Sequence, residues 1–139
     1  MQGTKATPLW LRVVPWGIAY ALIGLVTAAL SRHAGSGEMQ QVWRLLAWAL
    51  SLGVFAACFF DERSRASGAP ATTALRAALS VALGGFVLAA AATVHTLSLG
   101  RARVGPQLVA LVAWPVLLAI PAFLVALAAA AVLRGKRTA

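Results

Sequence analysis

Residues 106–133 read PQLVALVAWPVLLAIPAFLVALAAAAVL, 28 residues without one charged side chain. A helix rises about 1.5 Å per residue, so roughly twenty apolar residues cross a hydrocarbon core about 30 Å thick. The apolar run is continuous, not alternating, which favours a helix over a strand of a membrane barrel. Working outward, residues 9–31, 41–60 and 73–99 have the same character. The 139-residue chain is 61% hydrophobic and 11% charged, whereas a soluble domain is about half apolar and a quarter charged. A soluble fold of this size buries only about two-thirds of its surface, so the expected solvent is lipid. The expected fold is all-α: an integral membrane, four-transmembrane-helix, up-down-up-down bundle forming one domain over residues 1–139.

The connections carry stop and start chemistry. Ser36 is placed to cap the second span, with Glu38 in its first turn. Thr72 or Thr73 is placed to cap the third, and Pro106 suits the first helical position of the fourth. Loops this short force sequential helices into antiparallel neighbours. Lys5 and Arg12 precede an apolar stretch, as in a secretory signal, but residues 13–30 are long for that segment and lack a small-x-small exit. They are expected to form a membrane span.

Orientation follows from lysine and arginine near the span ends. One side holds Lys5, Arg12, Arg63, Arg65, Arg76, Arg134, Lys136 and Arg137; the other holds Arg32, Arg44, Arg101 and Arg103. Eight against four predicts both termini in the cytoplasm and an inner (plasma) membrane location. The net charge of +9 then reflects topology and anionic lipid headgroups at the cytoplasmic face. No extended basic groove is available, so nucleic acid is not an expected partner. Trp10 and Trp43 fall near span ends, where an amphipathic ring suits the headgroup layer. Trp16, Trp48 and Trp114 lie deeper, against lipid or a neighbouring helix.

A weak internal echo divides the chain two spans and two. Leu11-Arg12 matches Leu75-Arg76, and Leu46-Ala47-Trp48 matches Val112-Ala113-Trp114. The offsets, 64 and 66, nearly agree.

Chemistry-bearing residues are few. The single cysteine, Cys58, excludes an internal disulfide and a zinc site built from several cysteines. Glu38, Asp61 and Glu62 are placed in or beside connections, so proton-coupled antiport through a membrane carboxylate lacks its residue. Hydroxyls such as Ser51, Ser80, Thr93 and Thr96 lack an obvious base and are expected to bond the carbonyl one turn back. No catalytic or metal site is expected, and the chain is read as a non-enzyme. His95 is the one histidine within a span, on a face with Gly84, Leu88, Ala91, Ala92 and Ser98. It either hydrogen-bonds a neighbouring helix or, with His33, ligates a haem or pigment.

Small residues at Gly84, Gly85, Ala89 and Ala92 predict close helix packing. The expected function is a non-catalytic accessory subunit of a larger membrane complex, partnered by other membrane subunits or by itself. The alternatives are a homo-oligomeric small-solute transporter or channel, with Pro115 and Pro121 beside its pathway, and a haem- or pigment-binding anchor using His95. No cofactor is expected outside that last alternative.

Overall fold

The computed structural model describes residues 8–65, 69–100 and 104–135, with side chains in the last helix described for residues 105–133. Four helices account for them: α1 (Leu9–Arg32), α2 (Gly37–Arg65), α3 (Pro70–Ser98) and α4 (Val104–Gly135). All four are long and apolar enough to cross a membrane. Of the orientation residues, Lys5, Arg101, Arg103, Lys136 and Arg137, and the side chain of Arg134, lie outside the described residues.

Local chemistry sets most helix ends. The Met39 N–H donates to Ser36 Oγ at 3.2 Å, and the Gln40 N–H donates to the Ser36 carbonyl at 3.1 Å. Ser36 thus caps α2 as expected, with Glu38 in the first turn. The third helix differs. It starts at Pro70, and Ala69 before it makes no side-chain cap. Proline's fixed φ and missing N–H already suit that position, which leaves Thr72 and Thr73 inside the helix. Gly100, with φ at 63°, takes the left-handed conformation just past α3 and donates its N–H to the Leu97 carbonyl at 3.0 Å. Pro106 lies one position past Gly105 within α4, still in the first turn, where backbone N–H groups have no helical partner. Pro15, Pro115 and Pro121 sit inside α1 and α4 without ending them.

The largest boundary difference is in α2, expected to end near residue 60 and observed to continue to Arg65. Asp61 and Glu62 are therefore helical. Arg65 Nε reaches Asp61 Oδ1 at 2.7 Å across one turn. Arg63 and Arg65 also complement the negative end of the helix.

Helix α3 packs against α1, α2 and α4. Its glycines permit this. A Cβ on Gly84 would lie 2.6 Å from Tyr20 Cδ1 and 3.0 Å from the Gly17 carbonyl oxygen, so the α1 and α3 backbones approach as closely as glycine alone allows. On the same seam Gly17 meets Leu83 and Gly24 meets Leu88. Gly85, one residue on, turns the opposite way and meets Leu118 and Pro115 of α4. A buried apolar cluster joins Cys58 and Phe59 of α2, Ala74 and Ala77 of α3, and Ala126 and Ala130 of α4. Trp16 and Phe55 cover it.

Candidate functional site

Polar chemistry gathers where α2 ends and α3 begins. Glu62 is 2% exposed. Its Oε2 accepts from Arg76 Nη1 at 3.1 Å and lies 3.8 Å from Arg12 Nη1. Three helices thus meet at one carboxylate. Arg12 and Arg76, equivalent in the sequence echo, share that carboxylate from α1 and α3. One helical turn away, Cys58 Sγ lies 3.8 Å from Ser80 Oγ, a buried contact between α2 and α3. Arg63 Nη2 donates to the Leu133 carbonyl at 3.1 Å, binding α2 to the end of α4. Placing Glu62 in a connection is therefore corrected: it is a buried helical acid. A signal existed, since Phe55, Cys58, Phe59 and Glu62 follow helical spacing along one face. Arginine pairing makes this burial tolerable.

The histidines occupy different surroundings. His95 is exposed, and so are Ala92 and Ser98 on its face, while Gly84 is buried and Ala91 half-buried. The face buried against α1 at Gly84 is thus exposed about three turns further along α3, at His95. His33 is exposed at the end of α1. Neither imidazole is hydrogen-bonded among the described residues. Of the packing residues read from the sequence, Gly84 and Gly85 are buried, Ala89 is half-buried and Ala92 is exposed.

Hydroxyls turn to their own helices. Thr27 donates to the Ile23 carbonyl at 2.7 Å, Ser80 to Arg76 at 3.1 Å, Thr93 to Ala89 at 2.8 Å and Thr96 to Ala92 at 2.9 Å. This is the back-bonding expected of hydroxyls in apolar helices.

Toward its Gly37 end α2 is only partly covered. Its buried residues are Cys58, Phe59 and Glu62, and none between Gly37 and Ser51 is buried, although Trp43, Ala47 and Ser51 are half-buried on one face. That face borders a crevice of about 430 Å³, lined by Tyr20, Thr27 and Arg32 of α1 and by Trp43, Arg44, Trp48 and Ser51 of α2. Leu88 of α3 and Trp114 and Leu118 of α4 also line it. Thr93, His95 and Ser98 do not border this crevice. The outer side of α2 carries Ala49, Gly53 and Ala57, all exposed, at four-residue spacing. A Cβ added at Gly53 would meet nothing within 4 Å.

No family model matches this chain, and neither does any curated protein or solved structure.

Proposed function

We propose that the chain is a four-span, up-down-up-down integral membrane protein with both termini on the cytoplasmic side of the inner membrane. It serves as a non-catalytic accessory subunit within a larger membrane assembly. Alternation of helix direction is supported by paired contacts. Gly17 and Gly24 of α1 meet Leu83 and Leu88 of α3 in rising order. Along α3 and α4 the order reverses, with Gly85 against Leu118 and Thr93 against Gln107. Cytoplasmic termini rest on the arginine and lysine asymmetry.

The observation that carries the subunit reading is the outward stripe of Ala49, Gly53 and Ala57 on α2. Between apolar helices in lipid, association depends on dispersion and close backbone approach. Four-residue spacing of small side chains supplies that approach. Inside the molecule, Gly17 and Gly84 use the same device against each other; on α2 it faces outward.

The experiment is purification of the full chain from membranes in mild detergent, with and without Gly53→Ile. The expected result is co-elution with distinct membrane proteins, or with further copies of itself, lost in Gly53→Ile while helical content persists. A chain that elutes alone, or an association indifferent to Gly53→Ile, would count against the reading.

A further inference from the structure

The crevice between α1 and the first half of α2 has an ordered polarity. Arg32 ends α1, and Arg44 lies in the second turn of α2. Trp48 lies one turn further in than Arg44, and Gly24, also on the lining, stands eight residues before Arg32. At about 1.5 Å per residue the floor is about 12 Å from the charged rim. Leu88, Trp114 and Leu118 supply apolar walls. The volume falls within the range of about 300–1,000 Å³ typical of small-molecule sites.

Charge sets the occupant. Arg12, Arg65 and Arg76 are held in ion pairs with acidic side chains. Arg32 and Arg44 instead border a crevice whose lining contains no acidic side chain. Guanidinium groups match phosphate oxygens by paired N–H donors. Trp48 is 67% exposed and Trp114 52% exposed, rigid aromatic surfaces against which a hydrocarbon chain can lie. We propose that this crevice binds an anionic phospholipid, its phosphate at Arg32 and Arg44 and one acyl chain along Trp48 and Trp114. The site lies at the opposite end of the helices from the Glu62 cluster, and so apart from the cytoplasmic headgroup contacts expected of the termini. It rests on bilayer insertion but not on any partner subunit.

The test uses the full chain reconstituted in phosphatidylcholine vesicles, with flotation reporting insertion separately, so that failure of the membrane reading is distinguishable from failure of this site. Phosphatidylglycerol brominated on its acyl chains should quench tryptophan fluorescence at a lower mole fraction than brominated phosphatidylcholine does. Arg44→Gln, and separately Arg32→Gln, should raise the half-quenching fraction about fivefold. Arg65→Gln, which removes an arginine outside the crevice, should leave it unchanged. Joint Trp43→Phe, Trp48→Phe and Trp114→Phe replacement, which removes every tryptophan of the lining, should abolish the selective component and retain the unselective one. Equal quenching by the two lipids, indifference to both arginine variants, or selectivity surviving loss of all three lining tryptophans would overturn the proposal.

Discussion

Arg76 on α3 donates from Nη1 to Glu62 Oε2 on α2 at 3.1 Å, while its Nε is buried without a hydrogen-bond partner among the described residues. With Arg12 also 3.8 Å from the same oxygen, one acid holds two cations from different helices. The arrangement makes Glu62 the tie among α1, α2 and α3. It also makes the two guanidinium groups mutually repulsive once that acid is neutralised.

Glu62→Gln should therefore destabilise the fold by about 3 kcal/mol, the lower end for a broken buried pair, since both arginines keep about a quarter of their surface exposed. Combining Glu62→Leu with Arg76→Met should cost less than Glu62→Leu alone, because it removes the orphaned charge together with its partner. Unfolding in mixed micelles by dodecyl sulfate titration measures both. A double variant less stable than the single would show that the cluster is not the tie.

Close approach of α1 and α3 gives a second expectation. Gly84→Ala should cost about 2 kcal/mol through overpacking. Trimming Tyr20 to Ala should not restore the loss, because the new methyl still meets Tyr20 Cβ at 2.8 Å and the Gly17 carbonyl oxygen at 3.0 Å. Gly53→Ala, with open space around its Cβ, should be neutral or gain up to about 1 kcal/mol of helix propensity. The same micelle titration compares the three proteins.

Cys58 is 2% exposed and stands one turn from Glu62. A water-soluble maleimide should label it slowly in the folded protein. Labelling should accelerate in Glu62→Gln, since loosening the tie opens the contact between α2 and α3. Mass spectrometry over a time course reads the rate. Equal rates in the two proteins would separate Cys58 protection from the charged cluster.

Exposure of His95 and His33 predicts that His95→Ala and His33→Ala change stability by no more than about 0.5 kcal/mol. Absorption of the purified protein should be the same for both variants and the parent. A Soret band in the parent that disappears in His95→Ala would instead assign His95 to a haem.

Sequence alone determined that there are four helices long and apolar enough to cross a membrane, because this depends on the length and continuity of apolar runs such as residues 106–133. The Ser36 cap was legible too, being a contact within four residues. Burial of Glu62 was not. An acid beside arginines and glycine looks like connection chemistry until α1 and α3 bring Arg12 and Arg76 to it, from 50 and 14 residues away in the chain. Likewise, the chain order places Gly84 and His95 on one helical face, but only the packing of Gly17 and Tyr20 of α1 against Gly84 decides that the first is buried while the second is exposed. The crevice is also tertiary in origin. Its arginines and tryptophans, distant in the chain, border one crevice only because all four helices pack around it. Local periodicity fixes what a helix is made of, whereas the packing of neighbouring helices fixes which of its residues are buried and which border a common cavity.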